Sequence, residues 1–317
     1  MDKPLRIVFM GTTGFAVGIL QSLVKMKYNI AGVVSVPDKP AGRGLQIRSS
    51  DVAMYARTQG LPLAQPALLK DPAFIALLNE WNADLFIVVA FRMLPEEVWR
   101  LPRLKTFNLH ASLLPQYRGA APINWALIKG ETTTGVTTFL IDHNIDTGNI
   151  LLQESLSIAA GETAGSLHNR LMDLGADLVC RTINALATGT LHPVPQPDIS
   201  PLYGAPKLNK ELCHIKWDQE STQICNLIRG LSPYPTAFSL LKTFAQDPVP
   251  IKIFQAHPIE HNHHHPYGAI LSDNKTYLHV ACRNGYVSLL ELQIAGKKRM
   301  QVKDFLLGFR DNQALFI

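Results

Sequence analysis

The chain has 317 residues, 47% hydrophobic and 17% charged, a balance that suits a soluble protein of two domains. No stretch approaches the ~20 apolar residues that span a bilayer. Four scattered cysteines (Cys180, Cys213, Cys225, Cys282) lack CxxC spacing and indicate neither a zinc site nor a disulfide framework. The net charge of +5 is uneven: residues 1–200 hold 17 Lys/Arg against 16 Asp/Glu, and residues 201–317 hold 13 against 9. A basic final third points to an anionic partner. The opening MDKPLRIVFMG is too short and strand-like in its apolar run for a signal peptide, so a cytoplasmic location is expected.

Leu5 to Met10 (LRIVFM) is a continuous apolar run, as in a strand covered on both faces. Gly11-Thr12-Thr13-Gly14 then turns the chain into a helix carrying Phe15, Ile19, Leu20, Leu23 and Val24. This opening is of nucleotide-fold type but lacks the full GxGxxG spacing, which argues against a dinucleotide. Ile30 to Val36 is the next strand. It gives way to PDKPAGRGLQIRSS, where Lys39, Arg43 and Arg48 sit among prolines and glycines. That loop reads either as a mobile surface turn or as a cationic flap over an anionic substrate. Helices follow around Val52 to Gln59 and Ala73 to Glu80, then the buried strand LFIVVA, which ends at Phe91-Arg92-Met93-Leu94-Pro95. The order βαβαβαβ predicts a parallel, doubly wound sheet.

The next strand opens the stretch TFNLHASLLPQYRGAAP, Thr106 to Pro122. Side chains alternate along a strand, so Phe107 and Leu109 share one face while Asn108 and His110 share the other. An amide and an imidazole are costly to bury without hydrogen-bond partners. This pair runs directly into a loop, and in parallel α/β sheets ligands bind beyond the carboxyl ends of strands. A functional site is therefore expected here. After a helix from Pro122, two strands (Gly135 to Asp142, Asn149 to Ile158) flank HNIDTG with its carboxylate Asp146. An aspartic protease is rejected, because that chemistry needs two such carboxylates and the chain has one D-T-G.

A helix from about Thr163 to Leu186 carries Leu167, Leu171, Leu174, Leu178, Ile183 and Leu186 at core spacing. The proline-rich GTLHPVPQPDISPLYGAPKLNK reads as an extended linker. Beyond it, a helix capped by Ser221 precedes short strands (TAFSLLKT, VPIKIFQA, GAIL, YLHVAC, GYVSLLELQ) that predict a small OB-like barrel. The cationic turn Gly296-Lys297-Lys298-Arg299 follows the last of them. His261, His263, His264 and His265 crowd one polar loop, but a metal needs converging ligands with a supporting shell, so no metal is expected.

Asn108-x-His110, SLLPQYRGAAP and Asp146-Thr147-Gly148 together resemble the formyltransferases that use 10-formyltetrahydrofolate. FMGTTGFA, PDKPAGRG, KLNKE with IKW, and LQIAGKKRM narrow the resemblance to the branch that formylates initiator methionyl-tRNA, over nearly the whole chain. It implies an α/β architecture: a Rossmann-like, mostly parallel catalytic domain over 1–189, a linker over 190–206 and an OB-like tRNA-binding β-barrel domain over 207–317. It implies Asn108, His110 and Asp146 as the catalytic set, with Ser112, Leu113, Leu114 and Pro115 lining the folate site. Phe91 and Leu94 would border the pteridine pocket. Arg43 would meet the acceptor end of tRNA, and Lys207, Lys210, Lys297, Lys298 and Arg299 would line its path. Two departures stand out. The family's usual GTP is Gly11-Thr12-Thr13 here, and its AYG-x-ILP stretch is the shorter Ala90 to Pro95, AFRMLP.

These residue types suit formyl transfer. An amine attacking a formyl carbon creates an oxyanion and a positively charged nitrogen. A preorganised amide such as Asn108 is worth ~3–4 kcal/mol to the oxyanion. An imidazole can donate or shuttle protons, and a neighbouring carboxylate fixes its orientation. The group that takes the amine proton is left open by the sequence. Formyl-folate is expected as co-substrate and a monomer as the working form. Three other functions use parts of the same residues: formyl transfer to glycinamide ribonucleotide, hydrolysis of formyl-folate, and non-catalytic RNA binding.

Overall fold

The computed structural model describes residues 4–41, 46–243, 247–309, 311 and 314–317. Its first sheet grows outward from the LRIVFM run. Strand β1 (Arg6–Gly11) pairs in parallel with β2 (Asn29–Val34), across helix α1 (Gly14–Lys25). Helix α2 (Asp51–Thr58) leads to the short β3 (Leu63–Ala64), parallel to β2. Helix α3 (Pro72–Trp81) leads to β4 (Leu85–Val89), parallel to β1 on its other side. The interiors of β1 and β4 are fully shielded from water, which explains why they read as unbroken apolar runs rather than alternating ones.

Local signals place the helix ends. Ser50 caps α2 by accepting the Ala53 N–H, and Asp71 caps α3, whose first residue is Pro72. After the single turn α4 (Glu96–Trp99), strand β5 (Thr106–His110) lies parallel to β4. Helix α5 (Pro122–Ile128) follows, and then β6 (Thr133–Leu140) runs antiparallel to β5, with β7 (Ile150–Ser157) beside it. The sheet order is β7-β6-β5-β4-β1-β2-β3, mostly parallel with one antiparallel flank. Strand β5 therefore ends where the two patterns meet. Helix α6 (Ala164–Ala187) buries Leu167, Leu171, Leu178 and Ile183 of the expected stripe.

The chain forms two compact units that interleave in sequence. One comprises Met1–Gly119, Thr134–Leu156 and His168–Gly204; the other comprises Ala120–Thr133, Ser157–Leu167 and Ala205–Ile317. In the second unit, helix α7 (Ser221–Leu231) begins with a capping box made by Glu220 and Gln223. Ser221 is its first helical residue, buried, and not the expected cap. Glu220 wins that position because its side chain accepts from the N3 backbone while Gln223 reaches back to the cap's N–H.

Strands β8 (Ala237–Lys242), β9 (Val249–Glu260), β10 (Ile270–Ser272), β11 (Leu278–Cys282), β12 (Gly285–Ile294), β13 (Met300–Gln301) and β14 (Leu315–Phe316) follow, with α8 (Val302–Gly308) before the last. Their order is β10-β11-β12-β9-β8-β14, and β13 pairs with β12. Ala269, just before β10, bridges Leu315 of β14, and the Phe316 N–H donates to Gly268 O at 2.9 Å. The two ends of the sheet thus meet, which closes an OB-like barrel. Gly268 has a φ of +84°, and a Cβ there would lie 2.0 Å from the Phe316 carbonyl, so closure needs glycine at this point. Ile215, Trp217, Ile253, Val280, Val287, Leu292 and Phe316 fill the interior. No helix among the described residues is long and apolar enough to cross a membrane.

Candidate active site

Strand parity puts Asn108 and His110 on the same side of β5, with Phe107 and Leu109 buried on the other. Asn108 is half-buried, and its side-chain amide makes no hydrogen bond among the described residues. His110 is only 6% exposed. Its Nε2 lies 2.8 Å from the Tyr117 carbonyl oxygen. A carbonyl only accepts, so Nε2 carries a hydrogen and donates it there. That commitment leaves Nδ1 as the nitrogen that can exchange a proton.

Nδ1 faces the Asp146 carboxylate, with Oδ2 at 3.8 Å. The gap is long for a direct hydrogen bond and short enough for charge attraction. A positive charge arriving on His110 is therefore met by Asp146. The Asp146 Oδ2 is itself fixed by the Gly119 N–H at 2.9 Å. Asp146 sits at a φ of +56°, a left-handed conformation that aspartate tolerates better than most residues. The surrounding loop supports it. Asp142 accepts the Thr147 hydroxyl at 2.9 Å and the Asn144 N–H at 2.9 Å. A Cβ on Gly148 would lie 1.7 Å from the Leu140 carbonyl, so the D-T-G turn packs onto β6 only with glycine there.

Gln196 was not singled out by sequence reasoning, yet it holds this loop from behind. Its Nε2 donates to Asp146 O and to Gly148 O, both at 2.9 Å, and its Oε1 accepts the Arg118 Nη2–H at 2.6 Å. The stretch expected as a free linker thus lies along the first unit, and Val194 bridges Ile150 of β7. The one available signal was the amide between Pro195 and Pro197, where an extended backbone aims a side chain at its neighbour.

The segment after His110 is immobilised by its own backbone groups. Thr137 Oγ1 donates to Ser112 O at 2.7 Å and accepts the Leu114 N–H at 3.1 Å. Gln153 Nε2 donates to Leu114 O at 2.8 Å. Ser112 is fully buried, with Oγ donating to Gln116 O at 2.6 Å. Gln116 in turn donates to Pro201 O and accepts the Tyr203 N–H, both at 2.8 Å, and Tyr117 stacks on Tyr203 with ring centroids 6.2 Å apart. Leu114 and Pro115 are buried and Leu113 is half-buried, so this segment offers a rigid backbone edge.

Leu94 is 4% exposed in the core beneath β4, and Phe91 is half-buried against the same cluster. Between them Arg92 donates to the Ala67 carbonyl at 2.9 Å and to the Pro66 carbonyl, and burial pulls its guanidinium below its ordinary range. Arg43 lies outside the described residues. Lys207, Lys210, Lys297 and Lys298 are exposed. Arg299 is engaged instead: it pairs with Glu291 and lies over the Phe254 ring, 4.1 Å from its centroid. Among the described residues no group of three or more His, Cys, Asp or Glu gathers as a metal site. In the His-rich loop, His263 uses both ring nitrogens internally. Nε2 donates to Cys282 O and Gly285 O at 2.9 and 2.8 Å, and Nδ1 accepts the His265 N–H at 3.1 Å.

A buried imidazole with one committed nitrogen, a carboxylate facing the other and an open amide on the same strand face are groups that acyl transfer to an amine can use. The formyl transferase profile matches residues 5–183, and that family's C-terminal domain profile matches residues 207–310. The methionyl-tRNA formyltransferases of Bacteroides thetaiotaomicron and Flavobacterium johnsoniae are 52% and 51% identical to this chain, each aligned over 97% of both sequences. The fold is shared with two solved structures. HypX from Aquifex aeolicus in complex with tetrahydrofolic acid has a TM-score of 0.63 at 20% identity, over 96% of this chain and 47% of that one. The N-formyltransferase of Helicobacter canadensis has a TM-score of 0.62 at 20% identity, over 93% and 100%. The chain belongs to the formyl transferase family.

Proposed function

We propose that this protein transfers the formyl group of 10-formyltetrahydrofolate to the amino group of initiator methionyl-tRNA, working as a monomer in the cytoplasm without a metal. The observation that carries this reading is the 52% identity with a methionyl-tRNA formyltransferase across 97% of both chains. The site fits such a donor. Asn108 presents an amide with no hydrogen-bond partner among the described residues, and the segment Ser112 to Pro115 that follows its strand is held rigid by Thr137 and Gln153. The donor supplies an activated formyl carbon, and the chain's own groups do the rest. The Asn108 amide donates to the formyl oxygen as negative charge develops on it, a contact worth ~3–4 kcal/mol when preorganised. The attacking amine becomes cationic and must lose a proton. His110 Nδ1 and the Asp146 carboxylate form the acceptor pair, since Nε2 is held by Tyr117 O. The same pair returns the proton to the departing nitrogen.

In this reading residues 1–189 form the catalytic domain, 190–206 the linker and 207–317 the tRNA-binding domain. Ser112, Leu113, Leu114, Pro115, Phe91 and Leu94 serve the folate. Arg43, Lys207, Lys210, Lys297 and Lys298 serve the tRNA, and Arg299, paired with Glu291 over the Phe254 ring, anchors the turn that presents the two lysines. The test is the fate of a labelled formyl group offered to methionyl-tRNA, glycinamide ribonucleotide and water side by side. Label is expected in methionyl-tRNA. Label found mainly in the ribonucleotide or as free formate would sink the assignment.

A further inference from the structure

Three successive residues reach the His110–Asp146 pair by three different routes. The Tyr117 carbonyl accepts the His110 Nε2–H at 2.8 Å. The Gly119 N–H donates to Asp146 Oδ2 at 2.9 Å. Between them, the Arg118 guanidinium works at one remove: its Nε and Nη2 donate to Gln196 Oε1 at 3.2 and 2.6 Å. Gln196 carries that contact onward, with Nε2 donating to the Asp146 and Gly148 carbonyls, both at 2.9 Å. A side-chain amide has two hydrogens and an oxygen with two lone pairs, and here each is used. A guanidinium only donates and a carbonyl only accepts, so the Gln196 amide fits one way round.

The turn that Gln196 secures has little else to fix it. The carbonyls of Asp146 and Gly148 accept no other hydrogen bond among the described residues. Asn144 and Ile145, just before, are exposed. Asp142 ties down Asn144 and Thr147 but makes no bond to Asp146 itself. Asp146 sits at a φ of +56°, a conformation that a residue with a Cβ keeps only when its surroundings impose it. Its Oδ2 already stands 3.8 Å from His110 Nδ1, so the pair has no slack to lose. Misplacing a catalytic group by about 1 Å can cost on the order of 100-fold in rate.

We propose that Gln196 is a positioning residue for formyl transfer, holding the backbone on both sides of the D-T-G turn so that the Asp146 carboxylate stays facing His110. The proposal rests on the reading that His110 and Asp146 receive the amine's proton. Gln196 touches neither substrate in this account. Its effect therefore falls on turnover and not on binding.

The test uses the full chain, with kcat counted per folate-binding site as titrated with tetrahydrofolate. Gln196→Met, which keeps the length and removes the amide, is expected to lower kcat about 20-fold. KM for methionyl-tRNA and for formyl-folate should stay within about twofold. Gln196→Asn keeps the amide but ends one methylene short, and should lose about as much. Gln196→Glu separates the two ends of the side chain. It keeps the oxygen that accepts from Arg118 but offers no N–H to the carbonyls, so it should fare no better than Gln196→Met. Added to Asp146→Ala, Gln196→Met should cost less than about twofold more, since no carboxylate remains to position. Wild-type kcat in Gln196→Met or Gln196→Glu, a loss confined to KM, or an undiminished effect in the Asp146→Ala background would overturn the proposal. Near-normal turnover in Asp146→Ala alone would overturn the proton-pair reading and this proposal with it. An impaired Asp146→Ala beside an indifferent Gln196→Met would sink the proposal alone.

Discussion

Asn108, His110 and Asp146 have different reasons for being visible in the sequence. Two polar residues spaced by two on an otherwise apolar strand announce a shared face, and the structure adds which nitrogen of His110 is committed. Asp146 could be marked only as a carboxylate on a turn. Its place beside His110 depends on a left-handed backbone at 146 and a side-chain-free position at 148. Gln196 was illegible because one amide in a proline-rich stretch carries no period and no spacing. Each of Asn108→Ala, His110→Ala and Asp146→Ala is expected to lower kcat by ~100-fold or more. The unfolding transition should stay close to wild-type, since none of the three fills the apolar core. Asp146→Asn separates charge from shape: its amide oxygen can still accept the Gly119 N–H, so it should retain the loop yet lose most of the rate. Steady-state kinetics alongside thermal melts decide this. A folded single variant with near-normal turnover removes that residue from the mechanism.

At the scale of elements, the parallel strands were legible because burial on both faces leaves an unbroken apolar run, as in β1 and β4. The cap of α7 misled, since Ser221 is a good cap by type but Glu220 with Gln223 forms the reciprocal pair. Barrel closure through Gly268 and Phe316 joins residues far apart in sequence, and no local pattern records it. Strand β11 also carries a pH dependence. His279 is partly buried, with Tyr277 at 4.4 Å and Tyr286 at 6.3 Å between ring centroids, and burial pushes its imidazole below the ordinary range against the opposing charge of Asp273. The folded barrel thus prefers the neutral ring. The unfolded chain takes up the proton first, near the ordinary value of about 6.5. His279 therefore favours folding fully above that pH, and the contribution is lost as pH falls below it, until the folded value is passed. Melts at pH 7.5 and 5.5 should show a drop that His279→Gln makes smaller. An equal drop in both proteins would place the titrating group elsewhere.

Over the whole molecule, the charge asymmetry was the plainest sequence signal, with 13 Lys/Arg against 9 Asp/Glu in residues 201–317. What composition does not reveal is how each cation is employed. Lys297 and Lys298 are exposed on the turn between β12 and β13, while the adjacent Arg299 is bound to Glu291 and stacked over Phe254. The three should therefore behave differently, although they are neighbours in one basic run. The interleaving of the two units governs how this is tested. Ala120–Thr133 and Ser157–Leu167 belong with the barrel unit, so a chain cut near Ala205 would strand both segments without their partners. Point variants in the full chain avoid that. Lys297→Ala/Lys298→Ala should weaken methionyl-tRNA binding and flatten its log–log salt slope by up to about 2 units. The melting temperature should hardly move, because two solvated lysines contribute little to stability. Arg299→Ala should do the reverse. Loss of a guanidinium held over an aromatic ring and paired with Glu291 should lower barrel stability by about 1 kcal/mol and leave the salt slope nearly unchanged. Filter binding of methionyl-tRNA from low to high salt, paired with thermal melts, reads both quantities. If Arg299→Ala flattens the slope as much as the lysine pair does, its guanidinium leaves Glu291 for phosphate when tRNA binds, and the division of roles on this turn is wrong.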